Sequence, residues 1–161
     1  MESGGSKKYD VPAIIVLTVD TMNVVEMNKQ LMSLYGKDGP KQSLGRYDVR
    51  IHKLFARHIK PEEQAKWLAK VHPGYETRPC LNVYIGTPNR LTKLLEMKAF
   101  RMDRCDTLKL IVLDCRLNKK SMSLFEDVES KKDAMEVLAA ARGRWKNFSK
   151  DAEKRLRVAL V

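Results

Sequence analysis

The sequence predicts an α/β domain of three layers, in which helices cover both faces of a mostly parallel sheet of about five strands. Short apolar segments such as residues 13–17 and 108–113 have the composition of strands that are covered on both faces. Segments with helical spacing of apolar residues alternate with these strands. Such an alternation favours parallel strands that are joined by right-handed crossovers.

The first half of the chain contains two predicted strands and two predicted helices. Residues 13–17 form the first strand, and residues 21–35 carry apolar side chains near helical spacing until a glycine ends the helix. Residues 49–55 form the second strand. Pro61 then opens a helix at a favoured first-turn position, with two glutamates that suit the positive end of the helix dipole, and this helix ends before Pro73.

The second half continues the same alternation. Residues 81–85 form the third predicted strand, and residues 90–98 form the third helix. The apolar segment 108–113 is the fourth strand, and a long helix over about residues 123–142 follows it. The C-terminal sequence RLRVALV alternates and then becomes apolar, which predicts a fifth strand.

The length of 161 residues is that of one domain with a sizeable hydrophobic core. We expect residues 12–161 to form this domain and residues 1–11, which are small, polar and charged, to be a flexible tail. No apolar run approaches the roughly 18 residues of a membrane span, and the N-terminus lacks the apolar centre of a signal peptide. We therefore expect a soluble, intracellular protein without membrane contact.

Charge is the strongest property of the composition. The 31 lysines and arginines exceed the 20 aspartates and glutamates, so that the net charge is +11 and the pI is about 9.7. Such an excess attracts polyanions, nucleic acids above all, and makes their binding sensitive to salt. The alternative is a basic surface that serves solubility or an acidic protein partner.

The cysteines and histidines predict neither a disulfide framework nor a metal site. Cys80, Cys105 and Cys115 are odd in number and show no Cys-x-x-Cys spacing, which favours free thiols in a reducing compartment. The three histidines complete no recognisable zinc module. We therefore expect no metal and no cofactor.

A candidate anion site lies between the third strand and the third helix. Thr87, Pro88, Asn89 and Arg90 stand where backbone N–H groups at the helix start are free. A threonine hydroxyl and these N–H groups can hold an anion, and an adjacent guanidinium can form a fork on a phosphate. In the alternative interpretation Thr87 caps the helix and Arg90 is a solvated surface charge.

Asp114 follows the fourth strand, where a magnesium-binding carboxylate lies in α/β domains that hydrolyse phosphates. Such a site needs a phosphate cradle, and the eight glycines give neither the G-x-x-x-x-G-K-[ST] nor the G-x-G-x-x-G pattern. Cys115 and Arg116 supply no general base, and the sequence predicts a buried or half-buried structural role for the thiol. We therefore predict no active site, and a turn-capping role is the alternative for Asp114.

Four segments resemble, in order and spacing, the first RecA-like domain of DEAD-box RNA helicases. They are PAIIVLTVDTMNVVEMNKQL, VYIGTPNRLTKLLE, LKLIVLD and LRVALV. In that family the first two carry motifs that bind the RNA backbone, and the third carries the Asp-Glu-Ala-Asp motif that serves ATP and magnesium. The resemblance implies a RecA-like, P-loop NTPase-like fold with candidate RNA-binding residues at Thr18, Thr87, Asn89 and Arg90.

The departures from the helicase pattern imply a domain without catalysis. The first motif has become Thr18 to Met22 and lacks its arginine, Asn89 replaces a glycine, and Cys115 stands where the catalytic glutamate would be. Asp114, Cys115 and Arg116 are thus a degenerate version of the third motif. We also expect that the P-loop region and the second RecA-like domain are missing.

A more specific resemblance lies in residues 53–68. The sequence KLFARHIKPEEQAKWL is similar to the Lys-Leu-Phe-Ala-Lys-His-Ile-Lys segment of the Cms-one family, small relatives of DEAD-box helicases. Members of that family are associated with the small-subunit processome, the early 90S pre-ribosome. The resemblance covers residues 12–161, and it implies nuclear and nucleolar localisation and pre-ribosomal protein partners.

A basic cluster after the second strand is a further candidate for RNA or partner contact. Lys53, Arg57, His58 and Lys60 concentrate positive charge beside the expected RNA face. The alternative is a solvated loop that apolar residues anchor in the core.

The main hypothesis is a non-catalytic factor of small-subunit biogenesis that binds pre-rRNA or snoRNA through backbone phosphates. Two other hypotheses stay open. The first is a protein-interaction module that binds acidic regions of processome proteins without direct RNA contact. The second is an ATP-dependent helicase fragment whose missing motifs come from another chain.

Overall fold

The computed structural model of the chain describes residues 12–33, 48–56, 59–69, 80–102, 108–142 and 156–161. In chain order the elements are β1 (Ile14–Leu17), α1 (Thr21–Ser33), β2 (Asp48–Leu54), α2 (Pro61–Ala69), β3 (Cys80–Gly86), α3 (Pro88–Glu96), β4 (Leu110–Leu113), α4 (Val128–Ala140) and β5 (Arg157–Leu160). Within these ranges, no helix combines the length and apolar character that crossing a membrane requires. The predicted tail over residues 1–11 lies outside the described residues.

The five strands form one sheet in the order β2-β3-β1-β4-β5. Every neighbouring pair is parallel, and Ile15 in the central strand aligns with Tyr84 of β3 and Ile111 of β4. The predicted parallel sheet of about five strands is therefore confirmed.

The apolar character of β1 follows from burial on both faces of the sheet. Ile15 and Leu17 belong to a large core cluster, whereas Val16 points to the opposite face and packs with Val24 of α1 and Val49 of β2. The large cluster joins the sheet to α2, α3 and α4 through Leu68, Leu91, Leu94, Ala134 and Val137. Helices thus lie on both faces, as the predicted three-layer arrangement requires.

Helix α4 is shorter than the predicted helix over residues 123–142. Asp127 has an extended backbone and its carboxylate accepts a hydrogen bond from the Ser130 N–H at 2.9 Å, so that it is the N-cap. The preceding residues form a turn in which the Ser123 N–H donates to the Glu126 carboxylate. The early start was wrong because this local hydrogen bonding competes with helix formation.

Two other elements begin two residues away from the predicted start, whereas β1, β2 and β3 differ by one residue. Helix α3 begins at Pro88 rather than at residue 90, because Pro fits the first helical turn after the extended Thr87. Strand β4 begins at Leu110 rather than at residue 108. Leu108 is fully buried but precedes the ladder, and the Lys109 and Leu110 N–H groups both donate to the Ala13 carbonyl.

Candidate functional site

Three strand ends meet at the carboxyl edge of the sheet. The Thr18 N–H donates to the Gly86 carbonyl at 3.0 Å, and the Asp114 N–H donates to the Leu17 carbonyl at 2.9 Å. The segments that follow β1, β3 and β4 are therefore held side by side. This edge is where parallel α/β sheets place their ligands.

Gly86 sets the close approach of β3 to β2 at this edge. A Cβ atom at this position would lie 2.5 Å from the Leu54 carbonyl oxygen, which is shorter than side chains tolerate. The same oxygen accepts a hydrogen bond from the Thr87 N–H at 3.2 Å. The absence of a side chain at Gly86 thus allows the start of α3 to lie against the end of β2.

The start of α3 leaves hydrogen-bonding groups free. The backbone of Thr87 is extended, and its half-buried side chain makes no capping hydrogen bond. Pro88 has no N–H, and Asn89 is exposed. The N–H groups of Asn89 and Arg90 belong to the first turn, where a helix offers them no carbonyl partner. Thr87 is therefore the N-cap of α3 by position, as the alternative interpretation expects, but its side chain does not close the turn, which is open to an anion.

Arg90 is not the solvated surface charge of the alternative interpretation. Its side chain is only 4% exposed, and its Nη2 donates to the Ile59 carbonyl at 2.9 Å. Nη1 is buried and has no hydrogen-bond partner. Burial lowers the pKa of Arg90, and the charge of Glu62 opposes this shift. The guanidinium therefore keeps one unused donor in the protein interior.

The segment between β2 and α2 is held from two sides. Arg90 binds the Ile59 carbonyl, and the Gln64 amide nitrogen donates to the Lys53 and Phe55 carbonyls at 3.5 and 3.2 Å. The Lys53 and Lys60 side chains are exposed. Of the predicted basic cluster, Arg57 and His58 lie outside the described residues.

Gln64 has a structural role that was not predicted from the sequence. It is 1% exposed, and its Oε1 is buried without a hydrogen-bond partner. The signal was present, because Gln64 stands four residues before the buried Leu68, on the inner face of α2. A polar side chain at such a position indicates a specific hydrogen-bonding partner.

Thr18 lies in the interior rather than on the surface. It is fully buried, and its hydroxyl donates to the Asp20 carbonyl at 3.0 Å. The Asp20 carboxylate in turn accepts the Asn23 N–H at 2.9 Å at the start of α1. A contact between the Thr18 side chain and RNA would therefore require this turn to open.

Asp114 is engaged by Arg116. The buried carboxylate accepts the Arg116 Nε at 2.9 Å on one oxygen and Nη2 at 2.8 Å on the other, and it also accepts the Arg116 N–H at 3.1 Å. Arg116 reaches Glu26 of α1 at 3.4 Å and donates to the Asn23 carbonyl. The hydrogen bond with Asp114 raises the pKa of Arg116. The arrangement is a two-pronged ion pair that ties β4 to α1.

Cys115 differs from its prediction. Its thiol is free and exposed, whereas the sequence favoured a buried or half-buried side chain. The reason is alternation, because Asp114 turns inward and its neighbour must turn outward. Within the described parts of the chain, no group of three or more His, Cys, Asp or Glu residues could hold a metal ion.

A polar cleft borders the start of α3 on the side of α4. It is lined by Asn89, Glu129, Ser130, Lys132 and Asp133. The Thr92 hydroxyl donates to the Asp133 carbonyl at 3.3 Å and fixes the two helices to each other. Two carboxylates therefore lie on this side of the candidate anion site.

Residues 3–160 match the sequence model of one protein family, described as CMS1: U3-containing 90S pre-ribosomal complex subunit. Protein CMSS1 of Danio rerio is 26% identical over 126 residues, which cover 78% of this chain and 36% of that protein. Protein cms1 of Schizosaccharomyces pombe is 28% identical over 130 residues, which cover 80% of this chain and 39% of that protein. The chain thus matches less than half the length of these relatives.

The fold is similar to part of a solved DEAD-box protein. The crystal structure of the yeast DEAD-box splicing factor Prp28 superposes with a TM-score of 0.61 and 18% sequence identity, covering 97% of this chain and 29% of that one. A match at this identity establishes the fold, and the predicted RecA-like architecture is confirmed. Because the family match extends over nearly the whole chain, this protein belongs to the CMS1 family of U3-containing 90S pre-ribosomal complex subunits.

Proposed function

We propose that this chain is a non-catalytic assembly factor that binds RNA in the U3-containing 90S pre-ribosome during small-subunit biogenesis. Membership of the family supports a role in the 90S pre-ribosomal complex. The start of α3, which lacks a side-chain cap, supports a contact with RNA. The single observation that carries the RNA contact is the start of α3, where Thr87 makes no side-chain cap and the first-turn N–H groups have no carbonyl partner in the helix. A nucleolar location follows from the proposed role in that complex.

A backbone phosphate suits this arrangement chemically. The N–H groups of Asn89 and Arg90 and the Thr87 hydroxyl can donate to its oxygens, and the positive end of the helix dipole favours its charge. A hydrogen bond to a charged group contributes roughly 1.5–3 kcal/mol, so one such contact is enough for a measurable effect.

The charged residues around the site favour one path for the RNA backbone across the surface. Glu129 and Asp133 line the cleft on the α4 side together with Lys132, so that two carboxylates against one ammonium group disfavour a polyanion there. Lys53, near the end of β2, and Lys60, directly before α2, are exposed. We therefore propose that the RNA backbone runs from the start of α3 towards α2. Contacts of this kind position the RNA without reading its sequence.

Two further observations support a role without catalysis. Both carboxylate oxygens of Asp114 are bound by Arg116, so the acid is already paired. Cys115 follows it in place of a carboxylate and points to solvent. The residues of the degenerate third motif therefore serve as a structural tie in this proposal.

A protein-interaction module is the second candidate. It is favoured by the burial of Thr18 and Arg90, which removes most of their side-chain surface from contact with a large ligand. In this case the basic surface would bind an acidic region of another pre-ribosomal protein.

The test is a titration of a fluorescent single-stranded oligouridylate of roughly 12 nucleotides, a length within single-strand site sizes. Asn89→Asp adds negative charge at the proposed phosphate position, and an acidic residue suits the first turn of a helix. We expect this variant to bind about tenfold more weakly. Lys60→Gln should weaken binding by a smaller factor and reduce the salt slope by about 0.7.

Lys131→Gln is the matched control, because it removes the same charge from an exposed position on α4. It should bind RNA within about twofold of the unaltered protein, since two helical residues before Asp133 place Lys131 on the flank of α4 that is turned away from α3. Binding should not change with ATP and magnesium. Equal RNA affinity of Asn89→Asp and the unaltered protein would contradict the proposal, and competition by polyglutamate that depends on Lys60 would favour the second candidate.

A further inference from the structure

Strand β5 presents an open edge at the end of the sheet that is opposite to β2. Among the described strands its only neighbour is β4. The Arg157 and Val161 N–H groups donate to the Lys109 and Leu113 carbonyls of the β4 side at 2.9 and 3.1 Å. Because N–H and C=O groups alternate in direction along a strand, those of the even-numbered residues between them point away from the sheet.

The side chains at these outward positions are apolar and exposed. Val158 is 45% and Leu160 is 66% exposed. In the parallel register they align with Ile111 and Leu113, which belong to the core cluster that α4 covers. Val158 and Leu160 therefore extend the apolar surface of that face beyond the cover of α4.

The flank of α4 that is turned away from α3 is also apolar. Asp133, whose carbonyl accepts the Thr92 hydroxyl, marks the flank that faces α3. Val128 and Met135 lie seven residues apart, hence on one line of the helix, and their position in the turn is nearly opposite to Asp133. They are 80% and 54% exposed. Leu156, just before β5, packs on the core cluster that contains the inner face of α4.

We name the exposed apolar surface that these residues of α4 and β5 present the α4–β5 groove. Its residues are Val128, Met135, Val158 and Leu160. Positive charge surrounds it, because Lys131 is exposed on the same flank of α4 and Arg157 is exposed on the other face of β5. A ligand that matches the groove must form backbone hydrogen bonds with the edge of β5 and carry apolar side chains at every second position. It must also carry negative charge.

We propose that the α4–β5 groove binds an extended acidic segment of another protein, which adds a sixth strand to the sheet beside β5. The backbone groups of Val158 and Leu160 would pair with the segment, and its inward side chains would cover these residues and Met135. The net charge of +11 argues for an acidic partner and against a second copy of this chain, which would bring the same charge. This inference goes beyond RNA binding, and its test does not depend on whether the chain binds RNA.

The probe is a capped peptide of about ten residues in which valine and glutamate alternate. Its binding to the full chain is measured by fluorescence anisotropy, and hydrogen exchange of the Val158 and Leu160 amides is followed by NMR. We expect both amides to exchange rapidly in the free protein and to be protected about tenfold or more by the peptide.

Two variants address the edge. Leu160→Pro removes an outward N–H that makes no bond to β4, and Val158→Lys places a charge in the groove. Each should weaken peptide binding about tenfold or more. Leu117→Lys is the matched control, because Leu117 is 56% exposed and lies outside the groove. It should bind like the unaltered protein.

Peptide variants keep the test valid if Leu160→Pro fails to fold. A peptide with N-methyl groups at alternate valines, or with lysine in place of glutamate, should not bind. The proposal is overturned by absence of binding, by binding without amide protection, or by equal binding of the lysine peptide. It is also overturned by a dimer of the free protein that Val158→Lys dissociates, since the occupant would then be a second copy.

Discussion

At the scale of single residues, two arginines that follow strand ends form specific structural contacts. Arg90 is buried and orients the segment before α2 through the Ile59 carbonyl. Arg116 neutralises the buried Asp114 and links it to Glu26. The composition suggests that the basic residues form a general surface charge. These two arginines instead make specific contacts at the carboxyl edge of the sheet.

Arg116→Ala is expected to destabilise the protein. The substitution leaves the Asp114 carboxylate buried with only the Arg116 N–H as a partner. Loss of one member of a buried ion pair costs roughly 3–5 kcal/mol, and the partial exposure of Arg116 reduces this to about 2 kcal/mol. The free energy of unfolding from urea denaturation measures the effect.

Combining Arg116→Ala with Asp114→Asn provides the control, because an amide needs no counter-charge. The double variant should recover part of the lost stability. If Arg116→Ala alone changes the free energy of unfolding by less than about 0.5 kcal/mol, the ion pair has no structural role.

At the scale of elements, capping decides where α4 begins. Asp127 accepts the Ser130 N–H, and this hydrogen bond lowers the pKa of Asp127. A lowered pKa means that the ionised carboxylate stabilises the folded state. This contribution is fully present above the pKa of the unfolded chain, about 3.9, and is lost as the pH falls through the folded value.

Asp127→Ala should therefore reduce the free energy of unfolding by about 1 kcal/mol near neutral pH. The difference from the unaltered protein should shrink below about pH 4, where the carboxylate becomes protonated. Urea denaturation at several pH values measures both effects. Asp127→Asn keeps the acceptor oxygen without the charge, so its loss should be smaller near neutral pH and should also shrink on acidification, as the unaltered protein loses its charge. A difference that grows on acidification would contradict the proposed role.

At the scale of the whole molecule, the parallel sheet separates the proposed RNA site from the α4–β5 groove. The start of α3 follows β3, and the groove lies at β5, three strand positions away in the order β3-β1-β4-β5. Three strand spacings correspond to roughly 14 Å. Two ligands can therefore occupy one rigid domain together, which suits a subunit of a large complex.

We expect the two sites to act independently. Asn89→Asp should weaken RNA binding without changing the affinity for the valine-glutamate peptide, and Val158→Lys should do the reverse. Effects of substitutions at such separations usually add within about 0.5 kcal/mol. Titrations of both variants and of their combination with both ligands measure this. A loss of RNA binding in Val158→Lys would show that the groove and the RNA surface are coupled.

Much of the fold could be predicted, because apolar composition and periodicity report burial directly. The alternation of strands and helices, the parallel sheet and the strand-end positions of Thr87 and Asp114 follow from local patterns. Helix starts were less predictable. At Asp127 the N-cap competes with the polar Ser123 four residues earlier, and only the hydrogen bonds distinguish the two.

The fold class, the family and the basic charge could be predicted before any coordinates, since these depend on composition, order and spacing along the chain. The environment of each candidate residue depends instead on the tertiary structure. Arg90 and Thr18 are buried and Cys115 is exposed because segments distant in the chain meet at the sheet edge. The open edge of β5 likewise exists through strand order, which local sequence does not encode.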